Sequence, residues 1–151
     1  DLRERIREVA GNPLLADGEI DNAWNSMLLG IAAGNHELLL RLKDKYRTFL
    51  MSNINDIHYT HIMNYLRREF NFMGNNHLFE RVYYSHKVGK RKPDTAFFQQ
   101  LLDENNLVPA ETLFIDDSPQ HLATARQLGI QTFLMQSPDT LQQYVKRAGL
   151  I

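Results

Sequence analysis

Hydrophobic residues in the first third of the chain recur every three to four positions, which is the spacing of one helix face. Leu2, Ile6 and Val9 show this spacing first. Breaks that contain glycine, at residues 11–13 and 30–34, divide this part of the chain into three segments. We therefore predict three helices in this part of the chain.

The pattern then changes to short apolar runs that alternate with helical segments. The runs at residues 48–51, 82–84, 113–115 and 131–135 predict buried strands. Strands that alternate with helices through short connections predict an α/β fold, with a Rossmann-like parallel sheet covered by helices on both faces. In such sheets, ligands bind where loops leave the carboxyl ends of the strands.

Polar residues stand where several of the helical segments begin, and we predict that they cap these helices. They are Asp17, Asp56, Asp94 and Ser118. Ser118 is followed by proline, which is a favoured first residue of a helix. By the same reasoning, the pair at residues 137–138 is predicted to start the closing helix.

Composition and charge narrow the possible functions. The 151 residues suit one domain, and the 43% of hydrophobic residues suffices for a core. A net charge of −1 indicates neither a nucleic-acid nor an anionic-membrane surface. The chain has no cysteine, which excludes thiolate catalysis and thiolate metal sites and fits a cytoplasmic protein. No apolar run reaches the ~20 residues of a membrane-spanning helix.

Two of the predicted strand ends carry side chains suited to binding phosphate. Ser52 and Asn53 follow the first strand, and hydroxyl and amide groups donate hydrogen bonds to anion oxygens. Lys92 lies in a basic loop after the second strand, where Pro93 restricts its backbone. Its ammonium group can neutralise a phosphate. Each feature is also common in ordinary strand ends and solvated loops.

The sharpest feature is the Asp116-Asp117 pair, which directly follows a buried strand. Adjacent carboxylates repel each other, and a bound cation relieves that repulsion. Mg²⁺ prefers one or two carboxylates, completed by water and substrate phosphate. Alternatively, Asp117 or Ser118 caps the next helix and Asp116 is simply exposed. All three strand ends are predicted at one edge of the sheet, so together they supply what phosphoryl transfer needs.

These residues resemble the sequence motifs of haloacid dehalogenase-like hydrolases. Residues 49–53 resemble motif II, and residues 89–94 resemble motif III with Lys92 at the lysine position. Residues 113–118 resemble motif IV in its double-aspartate form. The order and spacing of the motifs agree as well. The resemblance covers about residues 35–147.

Residues 52–58 resemble in particular the bacterial α-glucose-1-phosphatase-like phosphatases. The resemblance implies that residues 1–34 are part of a small helical cap that selects the substrate, and that residues 35–151 form the core domain. It also implies a Mg²⁺-dependent phosphatase. The substrate would be a small phosphorylated metabolite such as a sugar phosphate, and the reaction would pass through an aspartyl-phosphate intermediate.

The resemblance also implies a role for each matching residue. Ser52 would bind a phosphoryl oxygen, and Asn53 would orient the phosphate or the substrate beside it. Lys92 would hold the phosphate and neutralise charge on the nucleophilic carboxylate. Asp116 would coordinate Mg²⁺ directly, and Asp117 would hold a metal-bound water or orient Lys92.

The chain departs from the family because motif I, the Asp-x-Asp strand end that supplies the nucleophile, is missing from it. In the family, that strand lies in the middle of the sheet, between the strands that here end at Ser52 and Asp116. Without it, these two strands have no direct neighbour and would leave backbone groups unpaired. We therefore expect the nucleophile to lie outside these residues, in a longer protein, and the core to lack its first strand. The segment alone is expected to be inactive.

Two other functions stay open. A 2-haloacid dehalogenase would share Ser52, Asn53 and Lys92, but such enzymes usually need no metal and lack the double aspartate. A catalytically inactive module could keep the phosphate site without the nucleophile. The sequence leaves the exact substrate and the oligomeric state open.

Other polar and aromatic residues have simpler interpretations. His58 and His61 are three residues apart and could bind zinc, but no third ligand is evident, so an exposed helix surface is the simpler interpretation. His86 and His121 are interpreted as surface or loop residues. Trp24 is interpreted as a packing residue, and it is the cap residue to test for contact with a sugar.

Overall fold

The described part of the chain forms two compact units. The computed structural model describes residues 1–72, 74 and 77–151. The first unit contains residues 1–31 and 55–72, and the second contains the remaining described residues. Residues 55–72 therefore join the helices at the start of the chain, although they follow the first strand in sequence.

The main elements alternate between helix and strand from residue 49 onwards. In chain order they are α1 (Leu2–Ala10), α2 (Asp17–Asn25), α3 (Asn35–Lys43), β1 (Phe49–Ser52), α4 (Asp56–Phe70), β2 (Arg81–Tyr84), α5 (Ser85–Val88), α6 (Thr95–Asn105), a short 3-10 helix (Pro109–Glu111), β3 (Leu113–Asp116), α7 (Pro119–Gln127), β4 (Gln131–Leu134) and α8 (Leu141–Arg147). The sequence pattern did not predict α5 or the 3-10 helix, because each spans less than five residues. Within the described ranges, no helix combines the length and apolarity needed to cross a bilayer.

The first unit contains α1, α2 and α4, which make polar, aromatic and apolar contacts. The Arg3 guanidinium of α1 donates to both carboxylate oxygens of Asp21 in α2, at 2.8 and 2.9 Å. In the same helix, Trp24 stacks on His58 of α4, with ring centroids 5.8 Å apart. The His58 Nε2 atom also lies 3.0 Å from the Trp24 carbonyl oxygen. Trp24 therefore packs inside this unit, in agreement with its interpretation as a packing residue.

Two helix caps lie one residue before the predicted ones. The N-cap of α2 is Ala16 instead of Asp17, and the N-cap of α4 is Asn55 instead of Asp56. The Asn55 side chain accepts a hydrogen bond from the His58 amide at 3.0 Å. Both aspartates instead occupy the first turn, where their negative charge is favourable near the positive end of the helix dipole.

The other predicted caps agree only in part with the structure. Asp94 and Ser118 occupy the N-cap positions of α6 and α7, but neither side chain makes a capping hydrogen bond. The closing helix α8 begins at Leu141, after a Thr140 cap, and not at residues 137–138. Thr140 is the better start because its side chain accepts the hydrogen bond of an amide three residues ahead.

The strands of the second unit form two parallel ladders. β1 pairs with β2, so that Met51 lies opposite Tyr83, and β3 pairs with β4, so that Ile115 lies opposite Phe133. This confirms the predicted α/β fold with parallel strands and helices. Among the described residues, β1 and β3 are not paired with each other, so the single continuous sheet that the pattern predicted is not present here. The strand expected between them stays a prediction.

A hydrophobic core in the second unit anchors the loops that follow the strands. Phe97 and Phe98 of α6 are completely buried and pack with Met51, Tyr83 and Ala125. Full burial of one phenylalanine side chain contributes about 1.5–3 kcal/mol. Because α6 directly follows the basic loop and α7 directly follows β3, this core fixes the start of both helices and the loops before them.

Candidate active site

Lys92 lies at the carboxyl ends of β1 and β3 and contacts both strands. Its Nζ donates to Asp116 Oδ2 at 2.7 Å and to the Met51 carbonyl oxygen at 3.1 Å. The Lys92 side chain is only 9% exposed. A buried ammonium group requires such acceptors, because an unpaired buried charge is strongly unfavourable. The lysine therefore links two strands that share no backbone hydrogen bonds in the described structure.

The Asn53 side chain holds the main chain of Lys92. Its Oδ1 accepts a hydrogen bond from the Lys92 amide at 2.8 Å, and its Nδ2 donates to the Lys92 carbonyl at 2.8 Å. Two bonds from one planar amide fix both the place and the direction of the Lys92 backbone. The Asn53 side chain thus contacts Lys92. The expected role of Asn53 in orienting phosphate stays a prediction.

The Asp116 carboxylate accepts hydrogen bonds at both of its oxygens. Oδ2 accepts from Lys92, while Oδ1 accepts from the Ser118 amide at 2.9 Å and lies 2.8 Å from His121 Nδ1. Burial raises the pKa of Asp116, but the hydrogen bonds from Lys92, Ser118 and His121 outweigh burial and lower that pKa below its ordinary value. Asp116 is therefore ionised at neutral pH, although its side chain is only 7% exposed.

The interpretation of His121 as a surface residue is wrong. Its side chain is 18% exposed and directly contacts Asp116. His121 is the third residue of α7, and side chains in a first turn point back towards the preceding loop. That position behind an acidic strand end was the signal in the sequence that could have identified it. His86 is likewise half-buried, with its Nδ1 atom 3.1 Å from the Ile54 carbonyl oxygen.

The loop after β1 is fixed by the first residues after β2. The Ser85 hydroxyl accepts a hydrogen bond from the Ile54 amide at 2.9 Å and donates one to the Ile54 carbonyl at 3.0 Å. Ser52 stands half-buried at the end of β1, and Asp117 is exposed beside Asp116. The carboxylate that contacts Lys92 is that of Asp116 and not that of Asp117.

The chemistry of Asp116 suits a hard cation such as Mg²⁺, but Asp116 alone is not a complete metal site. Residues 1–72, 74 and 77–151 contain no group of three or more His, Cys, Asp or Glu side chains that could hold a metal. Mg²⁺ usually takes one or two carboxylates and fills its other positions with water and substrate phosphate. An ionised carboxylate with three donors keeps about one of its four lone-pair positions for such a ligand.

The possible zinc pair gains no third ligand among the described residues. His58 is occupied by its stacking contact with Trp24 and by the Trp24 carbonyl oxygen. His61 is exposed on α4. The helix-surface interpretation therefore holds for His61, whereas His58 is a packing residue of the first unit.

The second unit thus has parallel strands with a buried lysine–aspartate pair at their carboxyl ends. This combination can be compared with the sequence patterns of known protein families. The family model described as haloacid dehalogenase-like hydrolase matches residues 26–135. The chain belongs to the haloacid dehalogenase-like (HAD) hydrolases. This confirms the family that the motifs predicted.

Individual relatives agree with this assignment. D-ribitol-5-phosphate phosphatase of Bacteroides thetaiotaomicron is 26% identical over 136 residues, which cover 88% of this chain and 64% of that protein. A HAD family enzyme of the same organism, solved in complex with magnesium and inorganic phosphate, is 33% identical with a TM-score of 0.81, covering 94% of this chain and 71% of that one. A HAD-like family hydrolase from Porphyromonas gingivalis is 28% identical with a TM-score of 0.83, covering 97% and 70%. The chain thus spans about two thirds of the length of these relatives.

Proposed function

We propose that the protein containing this chain is a Mg²⁺-dependent phosphatase that acts on a small phosphorylated metabolite. The observation that carries the proposal is the buried Lys92–Asp116 pair at the ends of two parallel strands. A site with a fixed cation and a fixed carboxylate suits phosphoryl transfer, which depends on positioning and charge neutralisation. The similarity to a D-ribitol-5-phosphate phosphatase and to a structure with magnesium and inorganic phosphate supports the same chemistry.

Each site residue has a proposed role in that reaction. Lys92 holds the phosphate and neutralises negative charge as the phosphoryl group is transferred. The Ser52 hydroxyl donates to a phosphoryl oxygen, and Asn53 keeps Lys92 in place. Asp116 provides a metal ligand and the counter-charge of Lys92, and the exposed Asp117 carboxylate holds a metal-bound water.

The metal and the nucleophile complete the proposed site. A bound Mg²⁺ would polarise the phosphoryl group and offset its charge. The nucleophile is an aspartate that we place at the end of a strand between β1 and β3, outside these residues. It would form an aspartyl-phosphate that water then hydrolyses. The sequence of the whole protein tests this directly, because the proposal requires an Asp-x-Asp strand end outside residues 1–151.

The substrate follows from the family resemblance more than from the site. A sugar phosphate, or a sugar-alcohol phosphate like the substrate named for the D-ribitol-5-phosphate relative, is the class we propose. Residues 1–34 would select it as part of the cap. The glucose-1-phosphatase branch and the cytoplasmic location stay predictions from the sequence.

Phosphate release by the full-length protein tests the proposed function. We expect release from sugar phosphates and D-ribitol 5-phosphate with Mg²⁺, and its loss with EDTA or in Asp116→Ala. The matched control is Asp103→Ala, since Asp103 is an exposed aspartate on α6 whose side chain accepts a hydrogen bond from Gln99. Activity that survives both EDTA and Asp116→Ala would show that the metal assignment is wrong.

The same protein distinguishes the two alternatives. Chloride release from a 2-haloacid without Mg²⁺ would favour a dehalogenase, which Ser52, Asn53 and Lys92 would also suit. Phosphate binding without turnover of any phosphoester would favour an inactive binding module. The double aspartate at residues 116–117 favours the phosphatase over the dehalogenase, because a buried carboxylate beside an exposed one suits a bound cation.

A further inference from the structure

The Asp116 carboxylate is held from two sides by donors of different stiffness. Lys92 approaches Oδ2 on a long flexible side chain, and the Ser118 amide approaches Oδ1 from the turn before α7. His121 Nδ1 approaches the same Oδ1 at 2.8 Å from the first turn of α7. The imidazole is a rigid ring on a helix whose residues Leu122 and Ala125 are buried in the core, so it is the stiffer of the two side-chain donors.

We propose that His121 is a positioning residue that fixes the plane of the Asp116 carboxylate, and thereby the direction in which Asp116 meets a divalent cation. The inference rests on the proposed function and adds a residue to it. The last torsion of an aspartate side chain is broad, so one donor at Oδ1, with Lys92 on a flexible chain at Oδ2, fixes the plane of the carboxylate only loosely. A second, rigid donor at the same oxygen removes the remaining freedom.

The identity of the contacting nitrogen makes the proposal specific. The carboxylate oxygens can only accept, so His121 Nδ1 must carry the proton and donate. Nδ1 is bonded to Cγ, and so is the amide nitrogen of an asparagine side chain. The amide nitrogen of glutamine lies one bond further out, at the level of Nε2. Asparagine at position 121 can therefore restore the donor at the right place, whereas glutamine cannot.

Manganese titration of the full-length protein provides a readout that does not depend on turnover. Mn²⁺ accepts the same oxygen ligands as Mg²⁺ and is detected by electron paramagnetic resonance. Loss of a group that orients a metal ligand typically weakens metal binding by about tenfold to a hundredfold. We expect that loss in His121→Leu and His121→Gln, and affinity within about threefold of wild type in His121→Asn. Phosphate release at limiting Mg²⁺ should follow the same order.

Two controls separate positioning from folding. His61→Leu removes an exposed histidine from α4 and should leave Mn²⁺ affinity unchanged. The thermal unfolding midpoints of His121→Asn and His121→Gln should be similar, because both are neutral amides in the same helix turn. A difference in metal affinity between these two variants then reports the place of the donor and not the stability of the fold.

The outcomes distinguish this inference from the proposed function. If the wild-type protein binds Mn²⁺ and releases phosphate but His121→Leu binds Mn²⁺ equally well, the inference is wrong and the proposed function stands. Equal weakening in the asparagine and glutamine variants also overturns it, because the position of the donor would then not matter. If the wild-type protein neither binds Mn²⁺ nor releases phosphate, the proposed function fails and this inference fails with it.

Discussion

The two ends of the β1–β2 ladder carry the same kind of ion pair in opposite surroundings. At the amino end, the Arg47 guanidinium donates to Glu80 at 2.8 and 2.5 Å, and the two side chains are 50% and 43% exposed. At the carboxyl end, Lys92 donates to Asp116 at 2.7 Å, and the side chains are 9% and 7% exposed. The distances are similar, so burial and the number of additional donors distinguish the two pairs.

That difference determines what each pair contributes. An exposed pair typically contributes roughly 0–1 kcal/mol to stability, because water screens it and both side chains lose freedom. Removal of one partner from a buried pair costs roughly 3–5 kcal/mol, because a buried charge is left without compensation. A short distance therefore does not identify an important ion pair by itself, whereas burial at the ligand-binding edge of parallel strands does.

The largest effect is expected for Asp116→Ala at the buried end. The change removes the partner of Lys92 and the proposed metal ligand together. We expect phosphate release by the full-length protein to fall more than about a hundredfold, since even groups behind a metal ligand cost about tenfold to a hundredfold. Steady-state release of inorganic phosphate measures this. Glu80→Ala at the exposed end is the matched control and should retain activity.

A pair of double-mutant cycles compares the stability of the two ends directly. One cycle combines Lys92→Met with Asp116→Asn, and the other combines Arg47→Met with Glu80→Gln. From urea unfolding, we expect only a small coupling energy at the exposed end, where water screens both charges. The coupling energy at the buried end should be larger, since each of its single variants leaves a buried charge without its counter-charge. Equal coupling energies in the two cycles would contradict the role given to burial.

Much of the fold and of the site was predictable from sequence because the relevant signals are local. Short apolar runs followed by Ser52, Lys92 or Asp116 predict strand ends, and the motif spacing predicts that these ends share an edge. The contacts of Asn53 were not predictable in this way, because they depend on side-chain directions between loops far apart in sequence, as in the bond between Asn53 and the Lys92 backbone. His121 lies only five residues after Asp116, and its place behind an acidic strand end was a local signal that went unused. The caps at Ala16 and Asn55 were missed by one residue for a different reason. Acidic residues are favoured both at the cap and in the first turn, so the sequence does not distinguish the two positions.

A smaller effect on activity is expected for Asn53→Asp. The change keeps the acceptor for the Lys92 amide but replaces the donor to the Lys92 carbonyl with a second acceptor. Misplacement of a catalytic group costs about tenfold to a hundredfold, so we expect kcat to fall by that factor while KM changes less. Asn64→Asp, at an exposed position of α4, is the control. An unchanged kcat in Asn53→Asp would show that Lys92 needs only one of the two hydrogen bonds.

The smallest effect is expected for Arg47→Met, on the pH dependence of the free energy of unfolding. The hydrogen bond from Arg47 lowers the pKa of Glu80 below its ordinary value. Glu80 therefore contributes stability above that ordinary value and loses the contribution as pH falls through its pKa in the folded protein. Arg47→Met should remove this part of the acid dependence in urea unfolding between neutral pH and pH 3 or so. The change should be small because both side chains are well exposed.

Asn53 holds the main chain of residue 92. The position of that residue therefore does not depend on which side chain it carries. A different side chain at position 92 would be presented at the same place, because the amide of Asn53 holds the backbone atoms of residue 92. The 151 residues contain no cysteine, so Lys92→Cys would create a single thiol among them. Alkylation of that thiol with bromoethylamine would rebuild an ammonium group on a thioether chain of nearly the length of lysine. The site can in this way be switched off genetically and restored by a chemical reagent, which makes position 92 a point of external control over the proposed chemistry.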